Sequence, residues 1–415
     1  MNNEFTVIPE GGVTSALGFK AGGIHAGFRK NPERLDMALV EADELCPAAG
    51  VFTQNIFCAA PVTVSREHLD GQGYGFARAM VINSGTANAA TGSVGLENAR
   101  KMAGIVADTV GCAPEDVLVA STGVIGTHLS MDPFEYGVPA LHAELGKNGH
   151  DAACAIMTTD TVPKEAALSY TSADPDYLGI AFTVGGMSKG SGMIMPNMAT
   201  MIACITTDAP VAPADLHACL KAAADASFNK VTVDGDTSTN DTCVALASGK
   251  AAPGAGFFKP GSVALKEFAA ALNEVCQNLA RQMARDGEGA TKLVTVKVSG
   301  AATADDADKA ARTVANSPLV KTAIAGHDAN WGRIAGALGR SGACFQQEKV
   351  DIDIMGLPVL RQGLPVSFDE DKALRRFEED EIVLDCNLGA GEFATTMWTC
   401  DFTHEYISIN GDYRS

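Results

Sequence analysis

Glycine-rich loops divide the apolar parts of this sequence into short runs, and this feature limits its fold most strongly. Glycine makes up 43 of the 415 residues. Many of these glycines cluster in loops, such as residues 83–92 (NSGTANAATG), 121–126 (STGVIG) and 185–193 (GGMSKGSGM). Glycine is used where the backbone turns sharply or lies close to another group. Short apolar runs separated in this way predict a layered fold of helices and strands, with sites lined by backbone.

Helical and strand-like patterns alternate along the chain. Hydrophobic spacing predicts helices at residues 94–110, 214–227 and 262–285, with Ser262 as the N-cap of the third. Alternating runs predict strands at 293–298, 350–354, 381–386 and in the C-terminal stretches FATTMWTCDFT and YISIN. The two patterns are interleaved without a regular βαβ rhythm. We therefore predict a mixed α+β architecture rather than a doubly wound parallel sheet.

The charge and hydropathy of the chain exclude several classes of protein. The net charge is −19, and Lys and Arg form no cluster. Phosphate binding needs clustered basic residues, so we expect no nucleic-acid partner. No uncharged apolar run reaches about 18 residues, so we expect no membrane-spanning helix. The N-terminal stretch MNNEFTVIPEGG lacks the basic and apolar regions of a secretory signal, and we expect a cytoplasmic protein.

Neither the cysteines nor the acidic stretches form a recognisable metal site. The eleven cysteines are scattered without a C-x-x-C pair, so we expect free structural thiols rather than zinc ligands or disulfides. Residues 233–241 (VDGDTSTND) lack the glycine and the final glutamate of a calcium loop, and we interpret them as a tight turn. Residues 185–193 lack the order of a phosphate-binding loop. We therefore predict neither a metal nor an organic cofactor.

The stretch KGSGMIMPNMATMIACITTDA, residues 189–209, places Thr200 after Ala199 in a methionine-rich apolar run. A threonine hydroxyl is a weak nucleophile unless a base lies beside it. If the chain were cut before Thr200, its new α-amine, with a reference pKa near 7.7–8.0, would be such a base. The same hydroxyl could make the cut by attacking the Ala199 carbonyl. The residues alone also fit a buried strand after a glycine turn, and on that basis we favour the strand.

The stretch STGVIG also has two interpretations. It follows the strand-like run VLVA, and the backbone N–H groups of such a turn can converge on an anion or a developing oxyanion. A plain strand-to-helix turn is the simpler interpretation. On the residues alone we favour the plain turn.

Long and unusual motifs run along the whole chain: GGVTSALGFKAGGIHAGF, INSGTANAATG, STGVIG, KGSGMIMPNMATMIACITTDA, SFNKVTVDGDTSTNDT, GEGATK, AGHDANWGRI and YISINGDYRS. In these motifs and in their order, the sequence resembles the ornithine acetyltransferases (glutamate N-acetyltransferases) of arginine biosynthesis. Thr86 and Ala90 depart from the family pattern, in which we expect Asn and Cys at these positions.

This resemblance implies a fold and a processing event. The fold would be the layered DmpA/ArgJ-like type, with mixed sheets sandwiched by helices and an N-terminal nucleophile. The precursor would cut itself between Ala199 and Thr200 into an α chain of residues 1–199 and a β chain of residues 200–415. The two chains would remain associated as an α2β2 assembly.

The resemblance also implies an activity and a site. The enzyme would move an acetyl group from N2-acetylornithine to glutamate through an acetyl-Thr200 intermediate, with Thr122 and Gly123 stabilising the oxyanion. No cofactor would be needed, and acetyl-CoA would be a co-substrate only if the enzyme is bifunctional. The substrate-binding positions would be Thr159, Lys189, Thr200, Glu288, Asn410 and Ser415.

Two rival functions remain at this point. An aminopeptidase or amidase of the same fold would pass the acyl group to water. A binding protein that keeps the fold would not cleave itself at all.

Overall fold

The computed structural model of the protein describes residues 5–195 and 201–412, which form two compact units. The first unit holds residues 5–190, 201–229 and 236–279. The second unit holds residues 191–195, 230–235 and 280–412.

Among the described residues, the first unit contains one mixed sheet of nine strands. The strands are β1 (Thr6–Val7), β2 (Phe19–Ile24), β3 (Met37–Phe52), β4 (Tyr74–Thr86), β5 (Val117–Val124), β6 (Lys164–Thr171), β7 (Ala181–Lys189), β8 (Ile202–Thr207) and β9 (Thr242–Ala247). Their order is β1-β6-β7-β8-β9-β3-β4-β5, and β2 pairs with β3. The pairs β4–β5 and β8–β9 are parallel, whereas the other pairs are antiparallel. This arrangement places β8 between β7 and β9.

Helices of the first unit cover both faces of this sheet. They are α1 (Ala60–His68), α2 (Gly92–Val110), α3 (Asp132–Ala143), α4 (Gly149–Ala155), α5 (Pro213–Ala226) and the first part of α6 (Val263–Arg285), with short 3-10 turns at Pro114–Asp116 and Phe228–Lys230. Met37 and Leu39 of β3 join the apolar cluster that contains the buried sides of α2 and α3. Their neighbours Ala38 and Val40 join the cluster that contains α4. Because successive side chains of a strand point to opposite faces, one apolar run fills both layers.

The second unit contains a separate six-stranded sheet in the described part of the chain. Its strands are β10 (Leu293–Ala301), β11 (Asp351–Ile354), β12 (Leu357–Arg361), β13 (Leu364–Pro365), β14 (Glu381–Asn387) and β15 (Phe393–Cys400). Their order is β13-β12-β11-β14-β10-β15, with β10 and β14 parallel. Its helices are α7 (Ala304–Ala315), α8 (Pro318–Ala325), α9 (Trp331–Gly339), α10 (Glu370–Arg376) and α11 (His404–Gly411), with a 3-10 turn at Gln347–Lys349. Valines of β10 pack with the alanines of α7 in one apolar core.

The structure confirms the predicted α+β class and most of the predicted elements. The three predicted helices correspond to α2, α5 and α6, and the Ser262 hydroxyl caps α6 by accepting a hydrogen bond from the Leu265 N–H at 3.2 Å. The prediction of a strand at YISIN is wrong, since these residues lie in α11. The hydroxyl of Thr403 caps this helix by accepting from the Glu405 N–H at 3.2 Å, and the Tyr406 ring stacks on Phe402. The cap at Thr403 stabilises a helix, and this outweighs the weak preference for a strand that an alternation over only five residues provides.

The expectation of free thiols is confirmed for all eleven cysteines. Six of them are buried, and burial raises the pKa of Cys204 and of Cys276 to about 12. These thiols therefore behave as small apolar core groups. Across residues 5–195 and 201–412, none of the helices combines the length and the apolar character that crossing a bilayer requires.

Candidate active site

The predicted cleavage bond and the chain end lie outside the described residues, because Ala199, Thr200 and Ser415 are not among them. The described chain resumes at Met201, which is buried, and β8 follows at once. Ile202, the first residue of β8, pairs with Lys189 on β7 and with Thr242 on β9. The start of β8 therefore lies between the end of β7 and the start of β9.

Thr122 and Gly123 lie inside β5, which continues to Val124. The plain strand-to-helix turn is therefore wrong, because the next helix begins only at Asp132. Gly123 has a φ of 127°, a conformation that favours glycine. A Cβ at this position would lie 2.3 Å from the carbonyl carbon of Gly85 on β4. The close approach of β4 and β5 explains why glycine stands at this position.

Asn240 links the start of β9 to the strand that carries Thr122. Its side-chain amide, 6% exposed, donates to the Ser121 carbonyl at 2.7 Å. Two residues further on, the Thr242 N–H donates to the Met201 carbonyl at 2.9 Å. Asn240 and Thr242 thus connect Met201, the second residue after the predicted cleavage bond, with the predicted oxyanion strand. The sequence pattern alone predicted only a tight turn at Asn240.

Lys189 and the turn that contains Thr159 meet at a buried carboxylate. Lys189 ends β7, is 8% exposed, and its Nζ lies 4.0 Å from Oδ2 of Asp160. The same oxygen accepts from the Thr158 N–H at 2.9 Å, which closes the turn around Thr159. Asp160 was not among the residues predicted from the sequence. The signal that could have found it is a lone acid four residues before Lys164 in a nearly uncharged stretch.

Asp241 is a second buried acid close to the start of β8. It is 1% exposed, and neither carboxyl oxygen has a well-formed hydrogen bond to the described residues. Burial raises its pKa well above the ordinary value, although the Met201 N–H, the Thr53 hydroxyl and the charge of Lys189 favour the ionised form. Burial therefore shifts this acid, which lies beside the first strand of the predicted β chain, towards its protonated form.

Glu288 and Asn410 come together within the second unit. Glu288 is 5% exposed, and its Oε2 accepts from the Asn410 side-chain amide at 2.7 Å. The Glu288 N–H donates to the Ser191 carbonyl at 3.0 Å. Gly192 leaves room for the carboxylate, since a Cβ there would lie 2.3 Å from it. A buried carboxylate held in this way suits a cationic ligand group, because hydrogen bonds between charged groups are stronger than those between neutral groups.

A family model and two curated relatives match nearly the full length of the chain, and a solved structure matches about half of it. A model described as the ArgJ family matches residues 20–415. The arginine biosynthesis bifunctional protein ArgJ of Symbiobacterium thermophilum is 49% identical over 407 residues, covering 98% of this chain and 99% of the relative. The protein of the same name from Dehalococcoides mccartyi is 45% identical over 414 residues, covering 100% of both. The crystal structure of ornithine acetyltransferase from Mycobacterium tuberculosis complexed with ornithine is 39% identical, with a TM-score of 0.42, and covers 47% of this chain and 100% of that chain.

Proposed function

The chain belongs to the ArgJ family, and from this premise we infer that it is an acetyltransferase of arginine biosynthesis. It transfers the acetyl group of N2-acetyl-L-ornithine to L-glutamate, which yields L-ornithine and N-acetyl-L-glutamate. The observation that carries this conclusion is the 49% identity to a bifunctional ArgJ protein over 98% of the chain. As the second activity, we propose acetylation of glutamate with acetyl-CoA as the acetyl donor.

The first proposed step is self-cleavage between Ala199 and Thr200. The Thr200 hydroxyl attacks the Ala199 carbonyl, the peptide nitrogen leaves, and the acyl group moves from nitrogen to oxygen. The departing nitrogen takes up a proton and becomes the new α-amine of Thr200. Water then hydrolyses the ester, which frees the Ala199 carboxylate and the Thr200 hydroxyl. That amine can accept the hydroxyl proton in later turnovers, because its reference pKa lies near 7.7–8.0.

The proposed α and β chains would share one sheet after the cut. β7 lies before the cleavage bond and β8 lies after it, and the two strands pair from Val184–Thr207 to Lys189–Ile202. The ladders β7–β8 and β3–β9 each pair a strand of the α chain with a strand of the β chain, and their hydrogen bonds support continued association of the chains. We propose the α2β2 assembly on the family resemblance.

The proposed transfer proceeds in two half-reactions. The Thr200 hydroxyl attacks the acetyl carbonyl of N2-acetylornithine while the α-amine takes its proton, and the Thr122–Gly123 segment stabilises the oxyanion. The C–N bond breaks, the ornithine nitrogen takes the proton back, and an acetyl ester of Thr200 remains. The amine of glutamate then attacks this ester and restores the hydroxyl. Such a sequence gives ping-pong kinetics.

We propose that the charged side chains recognise the ends of the amino-acid substrates. Lys189 would pair with a carboxylate, and Glu288 with an amine. Asn410 offers both a donor and an acceptor. The burial of Glu288 and its hydrogen bond to Asn410 support this role, because a fixed anion needs little reorganisation to bind a cation. Thr159, Thr200 and Ser415 complete the proposed substrate contacts.

Intact mass, N-terminal sequencing and a transfer assay test this proposal together. Purified protein should give two fragments, the second beginning at Thr200, and should form N-acetylglutamate from N2-acetylornithine and glutamate. Thr200→Ala should stay uncut and inactive. Thr313→Ala is the matched control, since Thr313 is a half-buried residue of α7 in the second unit.

Three results would contradict the proposal. A single full-length chain with normal activity would remove Thr200 from the mechanism. Acetate as the dominant product would instead indicate a hydrolase of the same fold. Failure of acetyl-CoA to acetylate glutamate would remove the proposed second activity and leave the first intact.

A further inference from the structure

The carboxylate of Asp160 lies between two lysines inside the first unit. Its Oδ1 is 2.7 Å from Nζ of Lys164, and its Oδ2 is 4.0 Å from Nζ of Lys189. The side chains of Asp160 and Lys164 are fully buried, whereas that of Lys189 is 10% exposed. Buried charges need partners of opposite sign, and here one anion serves two cations. The closer, hydrogen-bonded partner is Lys164.

The same carboxylate also holds two backbone segments together. Oδ1 accepts from the Gly190 N–H at 2.7 Å, directly after β7, and Oδ2 accepts from the Thr158 N–H at 2.9 Å. Thr159 lies between Thr158 and Asp160 in the chain. One buried side chain therefore joins the turn of Thr159 to the strand end that carries Lys189.

The electrostatic balance keeps this carboxylate ionised. Burial acts to raise the pKa of Asp160, but the charges of Lys189 and Lys164 and the hydrogen bonds from Lys164 and Thr158 outweigh it. The pKa is therefore held well below its usual range. A permanent anion at this point stabilises both ammonium groups.

We propose that Asp160 is a positioning residue for the recognition of a substrate carboxylate by Lys189. Asp160 fixes the position of the Lys189 ammonium group relative to the turn that contains Thr159. Lys164 neutralises Asp160 through the shorter contact, so that Lys189 is not required to balance the buried anion. This inference rests on the proposed function, because it assigns the substrate carboxylate to Lys189.

The test compares Asp160→Asn, Lys164→Met and the double variant with Glu267→Gln as a matched control. Glu267 is equally buried, at 3% exposure, and accepts from the Ser172 hydroxyl and the Ala173 N–H. Four quantities are measured on the purified, processed protein: the melting temperature, KM and kcat for acetyl transfer, and the affinity for ornithine by calorimetry. A second ligand, 1,4-diaminobutane, is ornithine without its carboxylate.

Asp160→Asn should weaken ornithine binding and raise KM by about tenfold or more, because a displaced Lys189 loses its ionic contact with the substrate carboxylate. It should also lower the melting temperature, because two buried ammonium groups lose their shared anion. Lys164→Met should raise KM as well, since Asp160 would then draw Lys189 away. Binding of 1,4-diaminobutane should change little in either variant.

The double variant separates positioning from a merely structural role. Removing one cation with the anion should restore the melting temperature, while the affinity for ornithine should stay low because Asp160 no longer orients Lys189. Recovery of that affinity together with stability would overturn the inference. The inference would also be overturned if Lys164→Met lost affinity for ornithine and for 1,4-diaminobutane equally. This second comparison keeps the test decisive if Asp160→Asn does not fold.

The control and the wild type distinguish this inference from the proposed function. Glu267→Gln should lower the melting temperature and leave the ornithine affinity unchanged. Suppose that the wild type binds ornithine, that the variants change this affinity as expected, and that the wild type transfers no acetyl group. The proposed function then fails and the inference stands. If the wild type transfers acetyl groups while the Asp160 and Lys164 variants keep its KM, only the inference fails. Absence of both ornithine binding and transfer overturns both.

Discussion

The side-chain amide of Asn410 donates a hydrogen bond to Oε2 of Glu288 over 2.7 Å. Asn410 is held in turn, since its amide also donates to the Tyr406 carbonyl one helical turn earlier in α11. Glu288 is fixed at its backbone by the Ser191 carbonyl. The orientation of this buried carboxylate is therefore set before any ligand arrives, which reduces the free energy spent on ordering it.

Glu288→Gln should weaken binding of the substrate amine while leaving the fold intact. The amide keeps the shape of the carboxylate but loses its charge, so KM for N2-acetylornithine should rise by about 10- to 150-fold. Steady-state kinetics on the processed enzyme give this value. Asn410→Ala should raise KM less, because the charge remains and only its orientation is lost. A wild-type KM in Glu288→Gln would contradict the proposed role, and Glu405→Gln, at an exposed position, is the control.

Gly192→Ala should act on binding through the Glu288 side chain. The new Cβ would lie 2.3 Å from that carboxyl group, so the carboxylate has to move. The contact is with the end of a side chain rather than with backbone, and we expect an increase in KM of about tenfold with a small loss of stability. Kinetics and melting temperature are measured side by side. Gly336→Ala, where the added methyl group meets open space in α9, should change neither quantity.

Gly123→Ala should impair both folding and catalysis. Its Cβ would meet the backbone of β4 at 2.3 Å, and its φ of 127° is unfavourable for alanine. We expect a loss of about 2–4 kcal/mol in the free energy of unfolding, from backbone strain and overpacking together. Denaturant unfolding and acetyl transfer measure the two effects.

Gly126→Ala is the matched comparison for Gly123→Ala. Gly126 also has a positive φ, 83°, but no atom lies near its Cβ position. It should cost about 1–2 kcal/mol from strain alone. Equal effects of the two substitutions would show that the close approach of β4 and β5 is unimportant.

Asp241→Asn should make the protein less sensitive to rising pH. The pKa of Asp241 is raised in the folded state, so folding binds a proton that the unfolded chain releases above about pH 3.9. The wild type therefore loses stability as the pH rises from that value towards the raised pKa. The asparagine variant lacks this loss, and its melting temperature should exceed that of the wild type by about 2–4 °C for each kcal/mol recovered.

Melting curves at pH 4, 6 and 8 test the pH prediction. The difference between Asp241→Asn and the wild type should grow with pH. Asp108→Asn at an exposed position of α2 should show no such trend. A constant difference across the three pH values would mean that Asp241 does not take up a proton on folding.

Local pattern predicted much of this protein from the sequence alone. The spacing of apolar residues predicted α2, α5 and α6, and Ser262 marked the start of α6, because periodicity and capping act within a few residues. The order of long motifs identified the family, and the family model that matches residues 20–415 confirms it. The same local reasoning failed at YISIN, which lies in α11 and not in a strand. Five residues of alternating character are too few to distinguish a strand from a helix, and the cap at Thr403 favours the helix.

Only the tertiary structure decided which polar groups share a site. Asp160 meets Lys189 across 29 positions of the chain, Asn240 reaches Ser121 across 119, and Glu288 receives its hydrogen bond from Asn410 across 122. No local rule foretells these contacts. Their strength comes from removing charges and amides from water, and burial depends on how distant strands and helices pack together. The sequence therefore determined the elements and the family, while folding determined the partners of the buried charges.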